Sequence, residues 1–137
     1  MRTAVDTNVI SAIWSGAATA RKAAEDLGSA SSEGALLISP FVFAELLAYP
    51  GSTEAHLRKF LADTGIALDA RIQERVWVEA GLRFARYAQR RRQSTGAGPR
   101  RLLADFLIGA HALVQADRLF TFDPERFRQD FGELRLL

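Results

Sequence analysis

The four residues Ala35-Leu36-Leu37-Ile38 are apolar without a break, between Gly34 on one side and Ser39-Pro40 on the other. A strand of that kind has no polar face to offer water, so it must be covered on both sides, as strands of a parallel sheet are. Short runs of similar character stand at residues 2–5, at Ile66-Ala67-Leu68 and at Arg118-Leu119-Phe120-Thr121-Phe122, with a candidate edge strand at Leu134-Arg135-Leu136. Helical patterns separate them. They run from Asn8 to Trp14, over the alanine-rich residues 17–31, from Phe41 to Tyr49 behind Pro40, and over a segment capped by Ser52 that turns Leu57, Phe60 and Leu61 inward. The longest is expected from about Arg71 to Gln93, with Ile72, Val76, Ala80, Phe84 and Tyr87 as its buried stripe. Another spans Leu102 to Gln115, and a short one follows Pro124. Strands alternating with helices predict an α/β fold with a parallel sheet covered on both faces.

The 137 residues show no repeat, low-complexity tract or linker, and the expectation is one domain over residues 1–137. A 48% hydrophobic, 25% charged chain is an ordinary globular composition. No apolar run approaches the roughly 20 residues of a membrane helix. Asp6 comes too early for a secretory signal, so a cytoplasmic protein with no membrane partner is expected. The absence of cysteine removes disulfide scaffolds, thiolate metal sites and cysteine nucleophiles.

Ligands of parallel sheets gather at the carboxyl ends of the strands, and two acids stand there: Asp6 after the first strand and Asp123 after the fourth. Two more are the single charges of apolar helical stretches, Glu45 in Phe41-Val42-Phe43-Ala44-Glu45-Leu46-Leu47-Ala48 and Asp105 in Leu102-Leu103-Ala104-Asp105-Phe106-Leu107-Ile108. A buried carboxylate has to be protonated, paired or bound to a cation. Each acid also has a plainer reading: Asp6 and Asp123 as helix N-caps, Glu45 as the polar edge of a half-buried helix. Taken together, clustered acids repel unless a multivalent cation holds them, and an all-oxygen set favours Mg²⁺ or Mn²⁺, ions that work on phosphates.

Other chemistries lack their parts. His56 and His111 are the only histidines, and neither lies near a nucleophile elbow; His111 reads as a packed or hydrogen-bonded core residue and His56 as solvated. Gly96-Ala97-Gly98 follows no strand and lacks the lysine of a phosphate loop. Asn8 stands where a haloacid-dehalogenase-type phosphatase needs a second aspartate.

Net charge is +2, but its distribution is uneven. Arg83, Arg86, Arg90, Arg91, Arg92, Arg100 and Arg101 fall between Ala80 and Ala104 with no acid among them, while the rest of the chain is acidic on balance. Such a segment reads either as a solvated helix end or as a phosphate-contacting patch.

Val5-Asp6-Thr7-Asn8, Glu45 in its apolar helix, Asp105-Phe106-Leu107-Ile108-Gly109-Ala110-His111-Ala112-Leu113 and Thr121-Phe122-Asp123 with Phe127 occur in this order along the chain. In these four motifs the sequence resembles the PIN-domain nucleases, and in size and coverage the VapC toxins of type II toxin–antitoxin operons. The resemblance implies a three-layer α/β/α sandwich with a short, mostly parallel sheet of four or five strands. It also implies an Mg²⁺- or Mn²⁺-dependent endoribonuclease leaving 5′-phosphate and 3′-hydroxyl ends. On that reading Asp6 and Asp105 bind metal most directly, Glu45 and Asp123 complete the pocket, and Asn8 and Thr121 support it. His111 stands where the family more often has a small residue, which bears on the pocket floor, and Gly109 would let a neighbouring backbone approach. A homodimer and a cognate antitoxin are implied too, with Trp14, Phe41, Phe43 and Phe60 as candidates for the antitoxin groove or as ordinary core aromatics. The alternatives are a PIN-like RNA-binding or interaction module without turnover, and another metal-dependent phosphohydrolase.

Overall fold

A computed structural model describes residues 1–96, 98 and 101–137. Strand β1 (Thr3–Val5) leads into helices α1 (Thr7–Ser15) and α2 (Ala20–Glu33). Then follow β2 (Leu36–Ile38), α3 (Pro40–Leu47), α4 (Glu54–Thr64), β3 (Ile66–Leu68), α5 (Glu74–Thr95), α6 (Leu103–Gln115), β4 (Arg118–Phe120) and α7 (Glu125–Arg128). The strands pair in parallel in the order β3-β2-β1-β4. Every residue of β1, β2 and β4 is buried, as two-sided covering requires, whereas β3 at the edge exposes Ala67. The expected fifth strand is reduced to one parallel bridge: Leu119 N–H donates to Arg135 O and Leu137 N–H to Leu119 O, both at 2.9 Å.

The chain moves outward from β1 through β2 to β3 and then returns to the other side of β1 as β4. This reversal opens a crevice beyond the carboxyl ends of β1 and β4, where the sheet changes winding direction. Behind it the core is built from Ile10, Ile38, Leu46, Phe106, Leu119 and Phe127. Gly109 does admit a close neighbour, but that neighbour is a side chain: a Cβ there would meet the ring of Phe131 at 2.7 Å. The glycine lets the C-terminal segment seat its phenylalanine on α6.

Several boundaries differ from the sequence pattern for visible reasons. Thr53, not Ser52, caps α4, its hydroxyl accepting from His56 N–H at 3.1 Å. Helix α5 starts at Glu74 rather than Arg71 because Gln115 of α6 holds the preceding chain extended. Gln115 accepts from Gln73 N–H at 2.9 Å and donates to Arg71 O at 3.0 Å. Ile72 therefore packs on the core from outside the helix. Strand β4 stops at Phe120 because the next two residues are turned into the crevice, where Phe122 N–H donates to Asn8 Oδ1 at 3.1 Å.

Candidate active site

Asp6 ends β1 and begins α1, and its two carboxylate oxygens do different work. Oδ1 caps the helix by accepting from Thr7 N–H at 2.7 Å, while Oδ2 accepts from the Thr121 hydroxyl at 2.8 Å. The cap reading and the site reading of this residue are therefore the same geometry seen from two sides. Thr121 comes from the segment after β4, so its bond to Asp6 closes the crevice across the β1–β4 boundary. Its hydroxyl also accepts from Asn8 Nδ2 at 3.3 Å and from Asp123 N–H at 3.0 Å. One donation and two acceptances exhaust a hydroxyl, so its proton is committed to Asp6.

Thr7 links the second acid. Its hydroxyl donates to Glu45 Oε1 at 2.6 Å, carrying the exposed Glu45 of α3 toward Asp6. Asp105 sits half-buried in the first turn of α6, where the amino end of a helix favours negative charge. Asp123 does not cap α7; that position is Pro124, with no side-chain bond. Asp105 and Asp123 instead share Arg126, whose Nη1 lies 3.3 Å from Asp105 Oδ1 and whose Nη2 lies 3.2 Å from Asp123 Oδ2.

Asp6 is only 3% exposed, and burial pushes its carboxyl above the usual carboxylate range. The bonds from Thr121 and Thr7 and the charge of Arg126 oppose that shift, while the charge of Glu45 adds to it. Among the described residues no three His, Cys, Asp or Glu side chains close on a single metal position. The donor chemistry nevertheless fits a hard divalent cation. The donors are carboxylate oxygens, Asp6 is a buried carboxylate without an ion pair of its own, and a cation beside Asp6 and Glu45 would answer the repulsion between those two.

The structure divides the arginine segment. Arg83 is gripped bidentately by Glu133 at 2.6 and 3.0 Å, by Glu79 at 2.9 Å and by Asp130 O at 2.7 Å. Its guanidinium holds the Glu133 carboxyl down at about 2. Arg90 and Arg101 both pair with the carboxylate of Asp130, Arg101 at 3.0 Å. These three tie α5 and the start of α6 to the C-terminal segment. Arg86 and Arg92 are exposed, and Arg91 donates to Gly98 O at 3.0 Å. Arg90 and Arg91 also line an open groove of about 530 Å³ with Tyr87, Gln93, Ser94 and Gln129. Arg100 lies outside the described residues.

His111 turns to Asp69 rather than to the four acids, with Nε2 at 2.9 Å from Asp69 Oδ2. Burial lowers its pKa against the pull of that carboxylate. Of the groove candidates, Phe60 packs edge-on against Trp14 and lines an apolar cavity of about 290 Å³ with Ile13, Leu27, Leu36 and Ile66. Phe41 meets Trp77, and Phe43 lies under Arg58. The sequence reading overlooked Thr7, Asp69, Asp130, Glu133 and Arg126. For Arg126 a signal was present: it stands three residues after Asp123, the spacing at which helical side chains meet.

The sequence profile of the PIN domain matches residues 3–131. The chain belongs to the PIN domain family. Solved structures share the PIN fold over the whole chain. VapBC2 from Rickettsia felis, solved bound to a DNA fragment from their promoter, matches with a TM-score of 0.67 at 18% identity, over 100% of this chain and 98% of that one. VapBC-1 from nontypeable Haemophilus influenzae matches with a TM-score of 0.66 at 21% identity, over 100% and 97%. Comparison with curated proteins gives no match.

Proposed function

We propose that this PIN-domain protein is an Mg²⁺- or Mn²⁺-dependent endoribonuclease acting as the toxin of a toxin–antitoxin pair. The observation that carries the reading is Asp6: a buried carboxylate at the β1–β4 crevice, without an ion pair of its own, with the Glu45 carboxylate tied to it through Thr7 and acting on it by charge. Asp6 and Asp105 would hold the ion most directly, with Glu45 and Asp123 completing the pocket. Bound there, the ion supplies Lewis acidity and a nucleophilic water at neutral pH for hydrolysis of an RNA phosphodiester.

The chain's own residues prepare that chemistry. Thr121 fixes the Asp6 carboxylate in one orientation, and Asn8 fixes Thr121 in turn. Thr7 holds Glu45 beside Asp6, so two acids from different elements are positioned by one residue. Arg86, Arg91 and Arg92 offer charge to the RNA backbone, which suits sequence-tolerant attachment. The likeness to VapBC2 and VapBC-1 supports an antitoxin partner, and the proposal extends to a homodimer. No helix among the described residues is long and apolar enough to cross a membrane.

Expression of the wild type is expected to arrest growth, with relief from a co-expressed cognate partner and no arrest from Asp6→Asn or Asp105→Asn. Arrest by both variants would refute the nuclease basis of toxicity. Arg126, set between Asp105 and Asp123, favours a second reading: an RNA-binding module without turnover. That reading requires salt-sensitive RNA binding that survives loss of the acids, with no cleavage by the wild type.

A further inference from the structure

Arg126, the second residue of α7, brings one planar guanidinium to two carboxylates from different elements, Asp105 of α6 and Asp123 of the segment after β4. Its charge also acts on Asp6. The forked side chain is suited to such a bridge, since its two terminal nitrogens diverge toward separate acceptors. It is 37% exposed and springs from a four-residue helix, so it can swing into water without disturbing the core.

We infer that Arg126 is a built-in competitor for the divalent cation, engaging Asp105 and Asp123 and offsetting one of their two charges until the ion takes its place. The inference rests on the metal-dependent reading above and deepens it by naming what sets the affinity of the site. A carboxylate oxygen engaged by a guanidinium N–H is not free to ligate an ion on the same side, and the fixed positive charge repels the ion as it enters. Metal uptake is therefore an exchange, in which two ion pairs break as new oxygen contacts form. Both pairs are partly open to solvent, so the exchange weakens binding without blocking it.

The test is Mn²⁺ binding to the full-length, metal-stripped protein by calorimetry, with free Mn²⁺ followed by electron paramagnetic resonance. Wild type, Arg126→Gln, Arg126→Met, Arg126→Lys and Arg128→Gln are compared. Arg128 pairs with Glu125 on the same helix, so its replacement removes an equal charge while leaving the acids untouched. Arg126→Gln and Arg126→Met are each expected to bind Mn²⁺ about tenfold more tightly than wild type. Arg126→Lys should stay within roughly threefold, and Arg128→Gln within about twofold, its charge being screened by solvent. Melting curves without metal establish that each variant is folded, and the Met variant stands in if the Gln variant is not.

Unchanged or weaker affinity in the folded, charge-removing variants overturns the competition, and equal tightening by Arg128→Gln reduces it to general electrostatics. Those outcomes leave the metal reading standing. Failure of wild type and of both neutral variants to bind Mn²⁺ overturns the two together, whereas binding by the neutral variants alone supports the exchange.

Discussion

The most consequential structural carboxylate lies outside the β1–β4 crevice. Asp130 has a side chain only 2% exposed, and it pairs with Arg90 of α5 and Arg101 just before α6, while its carbonyl accepts from Arg83. Asp130→Asn keeps the shape and removes the charge. Breaking a fully buried pair costs about 3–5 kcal/mol, because a charge is stranded without a partner. Here the stranded charges are Arg90 and Arg101, 41% and 21% exposed, which recover part of their hydration. A loss of about 2 kcal/mol follows from that discount. For a chain of this size it lowers the melting temperature by roughly 6–8 °C. The assay is thermal and urea denaturation by circular dichroism, with Arg86→Gln as an exposed control. The triple variant with Arg90→Gln and Arg101→Gln should melt well above the sum of the separate losses, since the partners share one carboxylate. An Asp130→Asn midpoint within about 1 °C of wild type, or strict additivity, would refute the assignment of this carboxylate as the tie between α5, α6 and the C-terminal segment.

Other consequences follow from the same contacts. Arg83 depresses the folded-state pKa of Glu133 from 4.5 to about 2, so the pair's stabilisation is fully present above the unfolded value and is lost as pH falls through the folded one. Glu133 is 58% exposed, so solvent screening limits the effect: the stability gap between wild type and Glu133→Gln should be about 1 kcal/mol at pH 6 and shrink toward zero near pH 2. A gap independent of pH would contradict the pairing. Thr121→Val removes the proton donor to Asp6 at nearly constant shape, and RNA cleavage should fall by roughly 10- to 100-fold in kcat, measured below a melting temperature lowered by a few degrees because buried partners lose their hydrogen bonds; undiminished kcat would place Thr121 outside the site. Joint replacement of Arg86, Arg91 and Arg92 by Gln should weaken RNA binding and lower the slope of log affinity against log salt by about 2. An unchanged slope would return those side chains to the role of a solvated helix surface.

Where local pattern decides the structure, the residues announce it. Leu36–Ile38 is apolar and bounded by Gly34 and Ser39-Pro40, and it forms β2 within a residue of its expected limits. Asp6 and Asp123, read as strand-end acids, lie at the crevice made by the return of the chain to β4. What pattern cannot show is a partner far along the chain. Gln115 holds the start of α5 open from some 40 residues away, and no periodicity within residues 71–93 reveals it. Arg83, Arg90 and Arg101 look like a uniform basic run until the fold brings Asp130 and Glu133 against them. Arg126 looks like an ordinary helical neighbour of Asp123 until α6 carries Asp105 to its other nitrogen. In each case the sequence supplies the polar or charged group and only tertiary packing supplies its counterpart.

The account turns on whether the acids at the β1–β4 crevice cut RNA with a divalent ion. The direct measurement is incubation of the purified protein with end-labelled structured RNA in Mg²⁺, in Mn²⁺ and in chelator, with the termini of the products determined. Cleavage is expected with either ion and not in chelator, leaving 5′-phosphate and 3′-hydroxyl ends, and it should vanish in folded Asp6→Asn and Asp105→Asn. Cleavage that persists in chelator or in both variants, or that leaves cyclic phosphate ends, would contradict the account.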